Sequence, residues 1–501
     1  MKLSSVIEGL KPILFLGGGG SKDIQIKGMC HDSRHFQPGD LFVAIRGEHF
    51  DGHLFIPEAC NKGALAVVVE DERMVPISYD GAVIKIKNTR RALDTMASNF
   101  FEKPSEKIFI AGITGTNGKT TTSYMIESLL NAHDMPAAVI GTIDTHLGHK
   151  KYQASHTTPD ALQTQRLLYD WIKEGARACV MEVSSHALAL ARVNSVNFDV
   201  AVFTNITRDH LDFHKSMDEY IKTKALLFND LLKNSRKKNK RAIINIEDPH
   251  FEQIHNGATP VWTYGFEKGD FQAHNIELSF EGSRFSMQTP KGLVDVSLPM
   301  VGKHNILNAL AAFGVGLHLG FSLTSMATTL KNLKGVRGRM ERVASRSPIN
   351  IFVDYAHSED ALKNVLSFLL EIREKLNSST RIITVFGCGG DRDKGKRPLM
   401  MHVCQSHSDI TIVTSDNPRT EDPEKIINEI LDGANPVLLH GENPKIFRES
   451  DRKKAIKLAV RMAKPGDVIL IAGKGHENYQ IIGHKKQNFD DVEIAKEILG
   501  K

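Results

Sequence analysis

The residues best suited to chemistry open in residues 111–130, AGITGTNGKTTTSYMIESLL, where a glycine-rich turn separates a short apolar run from a segment of helical period. Residues 108–113 read as a strand, and Tyr124, Ile126, Leu129 and Leu130 fall mostly on one helical face. Strand, loop, helix is the order of a phosphate-binding loop. Gly115 and Gly118 let backbone N–H groups of Thr116 and Asn117 turn toward one point. The helix start at Thr120 and Thr121 adds partial positive charge, and Lys119 adds a full one. A triphosphate fits there, with Thr120 where a hydroxyl would hold Mg²⁺. The spacing departs from the strict Walker pattern, because the position five before Gly118 is Ile113 rather than glycine. A glycine turn after a strand is often only a tight turn, but Gly-Lys-Thr-Thr at this place points to a nucleotide.

Further candidates follow other apolar runs. MEVSSHALALARV places Glu182 and Ser184 near a strand end, where a buried carboxylate is either a metal ligand, the favoured reading, or a paired structural charge. FTNITRDHLDFH carries Asn205, Asp209, His210, Asp212 and His214. His210 and His214 have the i, i+4 spacing of a zinc helix, but Leu211 rules out H-E-x-x-H, and at least one of the two histidines is expected to be structural. In YIKTKALLF, composition alone makes Lys224 a surface charge on an amphipathic helix. HNILNALAA opens a helix with His304, Asn305 and Asn308, whose amides could cap it or contact a base. Arg339 could serve a phosphate and Asp354 a ribose hydroxyl, or they are a surface arginine and a loop aspartate.

FGCGGDRDKGKR and TSDNPRTEDP each follow an apolar run. Arg392 and Arg419 could grip carboxylates bidentately, while Asp416 and Asn417 could receive an amine, a pattern suited to a zwitterion. Gly473 and Glu477 in AGKGHENYQ add a further acceptor. Asp-Asn-Pro-Arg is also an ordinary turn sequence, with Pro418 fixing φ.

The elements that must position these groups fall into three segments, as a length of 501 residues suggests. Residues 1–105 hold short strand-like runs, DLFVAI and ALAVVVE, and a glycine turn at 17–20. Residues 106–339 alternate ACVMEV, VAVFTNI and RAIINI with helical patterns, implying a mainly parallel sheet and the nucleotide domain. Residues 340–501 repeat the alternation with NIFVDYA, RIITVFG, DITIVTS and DVILIAG. The expected class is α/β. Ligands of open parallel sheets gather at strand carboxyl ends, so the last segment should face a substrate.

Composition narrows the rest. No stretch approaches the roughly 18 apolar residues that cross a bilayer, and no signal sequence is evident, so a cytoplasmic protein without membrane insertion is expected. Five cysteines form no C-x-x-C pair and read as reduced, mostly buried thiols. The net charge of +5 is mild; the basic run at 233–241 reads as a solvated loop, not a nucleic-acid site, and acidic small molecules remain attractive partners.

Taken in order, GITGTNGKTTT, MEVSSHAL, FTNITRDHLDFH, KTKALLF, GKHNILNALAA, DYAHSEDAL, GCGGDRDKGKRP, DNPRTEDP and AGKGHE resemble the Mur ligases of bacterial cell-wall synthesis along nearly the whole chain. The resemblance implies a three-domain architecture: a domain for the UDP-sugar, a central P-loop ATPase-like domain and a C-terminal Rossmann-like domain. It also implies an ADP-forming ligase serving peptidoglycan synthesis, and with it cell shape and division. GCGGDRDKGKRP with DNPR resembles members that add meso-2,6-diaminopimelate; lysine-adding members depart at the arginine.

By that resemblance, Gly115, Thr116, Asn117, Gly118, Lys119, Thr120 and Thr121, with His304, Asn305, Arg339 and Asp354, would bind ATP. Two Mg²⁺ ions would be held by Thr120, Glu182, His210 and Lys224. Lys224 changes meaning most: the equivalent lysine is carbamylated by CO₂, turning a cation into a carboxylate-like anion, so Lys119, Lys224 and His210 become the catalytic set. Ser33, the Glu48, His49 and Phe50 loop, Thr157, Thr158, Ser184, Leu190 and Arg192 would bind UDP-MurNAc-L-Ala-D-Glu. Arg392, Asp416, Asn417, Pro418, Arg419, Gly473 and Glu477 would bind meso-diaminopimelate. The chain would act as a monomer on these small molecules. Two departures bear on the sugar-nucleotide contacts: Glu48, His49 and Phe50 replace a His-Gln-Ala loop of some relatives, and Leu190 replaces a glutamine. The rival readings are an L-lysine-adding ligase, a folylpolyglutamate synthetase and a P-loop switch protein lacking an acceptor amine.

Overall fold

The computed structural model describes residues 1–17, 23–47, 50–152, 156–211, 213–257, 259–344, 348–375 and 379–500. The chain clusters into two compact units. One comprises Met1–Ala273, Met287–Val294 and Leu307–Thr329; the other comprises His274–Ser286, Asp295–Ile306 and Leu330–Lys501.

The first unit begins with a five-stranded sheet in the order Leu14–Leu16, Ala82–Lys85, Ala66–Val69, Asp40–Val43, Gly28–Cys30, parallel except at its first pair. Period-two alternation sends Leu41, Val43, Ala66 and Val68 into one core with helix Thr89–Phe100, and Phe42, Ala44, Val67 and Val69 into another with Ile56 and Ala59. Both faces are covered, as a parallel sheet requires.

In the same unit the next sheet is built on parallel strands ordered Val261–Gly265, Arg241–Asn245, Val200–Phe203, Phe109–Thr114, Ala178–Glu182, Ala137–Ile140, with antiparallel Thr145–Leu147 and Lys150–Tyr152 beyond. The first of these strands in the chain, Phe109–Thr114, is central, and later strands are laid down on either side of it. That reversal of strand order opens a crevice at its carboxyl end.

The second unit has a six-stranded sheet ordered Glu341–Arg342, Asn350–Asp354, Val468–Ala472, Ile382–Phe386, Ile410–Val413, Ile446–Arg448, parallel except at its first pair. A hairpin, Tyr479–Ile482 with Lys485–Asn488, follows the last long strand. The five thiols are free, and all but the half-buried Cys60 are buried. Among the described residues no helix is long and apolar enough to cross a membrane.

Candidate active site

The Phe109–Thr114 strand runs into a loop that only glycine can start. Gly115 has φ +152°, and a Cβ there would lie 1.9 Å from Thr204 Oγ1; Gly118 has φ +86°. The segment after Val200–Phe203 braces the loop. Asn205 accepts from the Thr116 N–H through its carbonyl (2.7 Å) and from the Asn117 N–H through Oδ1 (2.9 Å), and Thr204 donates to the Asn117 carbonyl (2.6 Å). Helix Lys119–Asn131 starts there with Thr120 and Thr121 buried, and Thr122 donates to Asn308 Oδ1 at 3.2 Å.

Two lysines converge on one carbonyl. Lys119 Nζ donates to the Gly115 and Thr116 carbonyls, each at 2.8 Å, and Lys224 Nζ donates to the Gly115 carbonyl at 2.9 Å. The surface-charge reading of Lys224 is thereby corrected, for the residue is 1% exposed. On helix Met217–Leu226 it continues the buried stripe of Tyr220, Ile221 and Ala225, with its ammonium 4.6 Å from the Tyr220 ring centroid. Burial drives its pKa well below the ordinary lysine value; the Lys119 charge pushes the same way and Asp209 opposes.

Beside the loop, Glu182 is fully buried at the end of Ala178–Glu182, paired in register with Ile113. Its carboxylate accepts from the Thr120 hydroxyl (3.1 Å), the Thr142 N–H (3.0 Å) and the Thr142 hydroxyl (2.8 Å). Thr142 was not singled out from the sequence, although it directly follows an apolar run. Its hydroxyl also meets Thr157 at 3.1 Å. Thr158 donates to the Glu182 carbonyl (2.8 Å), Ser184 caps helix Ser185–Ala189, and Arg192 donates to the Thr158 carbonyl (2.9 Å). Leu190 is half-buried just beyond that helix.

His210 adopts φ +53°, with its Nε2 3.4 Å from Asp209 and its side chain nearly half exposed. His214 is buried against the rings of His186 and Tyr220, as the expected structural histidine of the pair. Among the described residues no group of three or more His, Cys, Asp or Glu side chains is set to hold a metal. The oxygen donors Glu182, Thr120 and Thr142 suit a hard cation instead. Ser33 is buried after Gly28–Cys30 and Phe50 is exposed. Glu48, His49 and Asp212, and most of the glycine turn at 17–20, lie outside the described residues.

In the second unit, Asp354 is buried and accepts from the Met340 N–H (2.7 Å) and the Ala356 N–H (2.8 Å); burial raises its pKa, against the pull of Arg339. Arg339 lies over the Tyr355 ring at 5.1 Å. Asn305 donates to the Val301 carbonyl at 2.8 Å, and His304 meets the Phe368 ring edge-on.

The zwitterion candidates gather at neighbouring strand ends. Arg419, at φ +51°, is held by its N–H to the Ile481 carbonyl (3.0 Å) and by Nη1 to the Gly390 carbonyl (2.7 Å); Arg392 is exposed on the preceding loop. Asn417 accepts from the Ile481 N–H (2.9 Å) and donates to Glu477 (2.8 Å), fixing the hairpin. Gly473 takes φ +114° after Val468–Ala472.

Three buried cations here were not read from the sequence. Lys474 lies among Asp416, Asn417 and Glu477. Arg397 pairs with Glu421 and Glu429. Arg452 is bidentate to Asp491 and also donates to the Ala472 and Ser415 carbonyls.

A P-loop beside a buried carboxylate, with a separate zwitterion-sized cluster on a second α/β sheet, is the arrangement of an ATP-driven ligase of amino acids. Residues 25–101 match the Mur ligase family catalytic domain, residues 113–316 the Mur ligase middle domain, and residues 338–475 the Mur ligase glutamate ligase domain. A relative from Geobacter metallireducens (strain ATCC 53774 / DSM 7210 / GS-15), named UDP-N-acetylmuramoyl-L-alanyl-D-glutamate--2,6-diaminopimelate ligase, is 44% identical over 488 residues, spanning 95% of this chain and 94% of its own. One of the same name from Syntrophomonas wolfei subsp. wolfei (strain DSM 2245B / Goettingen) is 41% identical over 501 residues, spanning 100% and 99%. A solved structure of a ligase of that name superposes with a TM-score of 0.72 at 31% identity, covering 100% of this chain and 98% of its own. The chain belongs to the Mur ligase family, with that family's α/β architecture.

Proposed function

We propose that the chain is an ADP-forming amide ligase that joins meso-2,6-diaminopimelate to UDP-MurNAc-L-Ala-D-Glu at the expense of ATP, in peptidoglycan synthesis. The observation that carries this reading is the end-to-end match to relatives named for that reaction. Residues 1–105 would bind the UDP-sugar, 106–339 ATP, and 340–501 the amino acid, in a cytoplasmic monomer.

Chemistry of this kind is mostly positioning and charge neutralisation, since a carboxylate must approach a triphosphate. The D-glutamyl carboxylate attacks the γ-phosphorus, the bond to ADP breaks, and an acyl phosphate results. The neutral amine of diaminopimelate then adds to the acyl carbon, its proton passes to a carboxylate or His210, and phosphate leaves with the C–O bond pair. Lys119 would turn from the Gly115 carbonyl to the phosphates at the start of helix Lys119–Asn131, since the Thr116 and Asn117 N–H groups are already taken by Asn205. His304, Asn305, Arg339 and Asp354 would hold the nucleoside end.

Thr120 and Glu182 would offer Mg²⁺ the oxygen donors it prefers, with His210 and carbamylated Lys224 as further ligands of two ions, which would supply positive charge to the phosphates. Lys224 suits carbamylation because a buried amine with a depressed pKa is a neutral nucleophile: it forms an N–C bond to CO₂ and gives up a proton. Ser33, Glu48, His49, Phe50, Thr157, Thr158, Ser184, Leu190 and Arg192 would line the UDP-substrate. Arg392, Asp416, Asn417, Pro418, Arg419, Gly473 and Glu477 would line diaminopimelate.

The test is isotopic. With ¹⁸O in the D-glutamyl carboxylate, the reading expects one label in the released phosphate and a nucleotide tripeptide as product. Unlabelled phosphate alongside that product would overturn the acyl-phosphate route.

A further inference from the structure

The amino-acid end contains a cation that the ligand does not bring. Lys474 follows Gly473 at the end of the Val468–Ala472 strand. Gly475, at φ +52°, can turn the chain there only because it lacks a Cβ, which would lie 2.6 Å from the Tyr355 side chain. The side chain of Lys474 is 0% exposed. Nζ lies 3.3 Å from Asp416 Oδ1, 3.0 Å from Asn417 Oδ1 and 3.4 Å from Glu477 Oε2. Asp416 and Glu477 keep 11% and 16% exposure, so the carboxylates face outward and the ammonium lies behind them.

Charge balance gives this arrangement a consequence. Asp416 and Glu477 bring two negative charges; Lys474, Arg419 and Arg392, the last exposed on its loop, bring three positive ones, and Glu477, Asp416 and Arg419 all act on the phenol of Tyr479. Arg452 also faces both carboxylates, but Asp491 matches its charge. The cluster therefore carries one net positive charge and is better matched to a terminus that includes a carboxylate than to one that is ammonium alone. Without Lys474 it would be neutral and lose that bias against a terminus that is ammonium alone.

We infer that Lys474 is a specificity-determining positioning residue: its buried ammonium sets the charge of the amino-acid site so that a zwitterionic terminus is preferred to a cationic one. The inference rests on the proposed ligase reading. Lys474 touches no reacting atom; it acts through Asp416 and Glu477.

The experiment compares kcat/KM for meso-diaminopimelate and for L-lysine in the full chain, in Lys474→Gln, which keeps a hydrogen-bond donor but removes the charge, and in Lys474→Arg. Lys474→Gln should lower the diaminopimelate-to-lysine ratio about tenfold or more, the effect of one charge removed from a partly screened site. Lys474→Arg should keep the ratio within about threefold, whatever its absolute rate. Equal losses on both amino acids in Lys474→Gln, or a fall in Lys474→Arg as large as in Lys474→Gln, would overturn the inference. If Lys474→Gln does not fold, Lys474→Met gives the same readout. Wild-type protein that turns over neither amino acid would contradict the ligase reading itself, a result separate from any outcome of the ratio.

Discussion

Two lysines lie out of water in this chain, one in each compact unit, Lys224 on a helix and Lys474 just after a strand, and their surroundings differ in kind. Lys224 finds a single carbonyl oxygen that it shares with Lys119, so burial and like charge both disfavour its ammonium form. Lys474 finds two carboxylates and an amide oxygen. A buried lysine is therefore neither reactive nor structural by nature; its neighbours decide. The first pocket disfavours the ammonium form, and the second sets the amine among acids.

The comparison can be broken most severely at Lys224. Lys224→Met, similar in length but without a nucleophile, should lower kcat by about 10³-fold or more while leaving the Kd for ATP within about threefold, as expected on losing a group that acts on developing charge. Steady-state phosphate release and equilibrium nucleotide binding check it. A kcat near wild type would remove the basis for carbamylation.

At the other pole, Arg419→Ala should reduce kcat/KM for diaminopimelate by about 10²–10³-fold through loss of a charge-assisted carboxylate contact, with the KM for ATP little changed. Comparable losses for both substrates would detach Arg419 from the amino acid.

The floor beneath that cluster can be tested separately. Arg452 and Asp491 are both 0% exposed, so Asp491→Ala leaves a buried guanidinium without its carboxylate and should cost about 3 kcal/mol in denaturant unfolding. Unchanged stability would show that the Arg452 contacts to the Ser415 and Ala472 carbonyls suffice alone.

The smallest effect concerns pH. Burial lowers the pKa of His146, but its hydrogen bonds to Asp144 and Glu127 outweigh this and lift it to about 9. Because the folded value lies above the unfolded one, the stabilisation is fully present below about pH 6.5 and lost as pH rises through about 9. His146→Gln should therefore narrow its stability gap to wild type between those values. A gap that does not change with pH would mean that the imidazole stays neutral.

These sites were unequally legible in the sequence. Apolar runs ending in glycine or polar residues marked the strands bearing Glu182, Asp354, Asp416 and Gly473, because parallel strands buried on both faces leave continuous apolar text. Lys224 was hidden by composition, yet Tyr220, Ile221 and Ala225 share its buried stripe. Reading the stripe instead of the residue type would have turned it inward. Lys474 carried no such mark: its surroundings depend on Asp416 and Glu477, which meet only once the sheet has formed. The structural part Asn417 plays was hidden because it depends on a hairpin that starts 62 residues later, at Tyr479.

The most direct measurement is phosphate release from ATP and Mg²⁺ with UDP-MurNAc-L-Ala-D-Glu, in parallel with meso-diaminopimelate, L-lysine or no amino acid. The account predicts release that depends on diaminopimelate and yields a nucleotide tripeptide. Preference for lysine would contradict the roles given to Arg419 and Lys474, and release needing neither amino acid nor UDP-substrate would contradict the ligase itself.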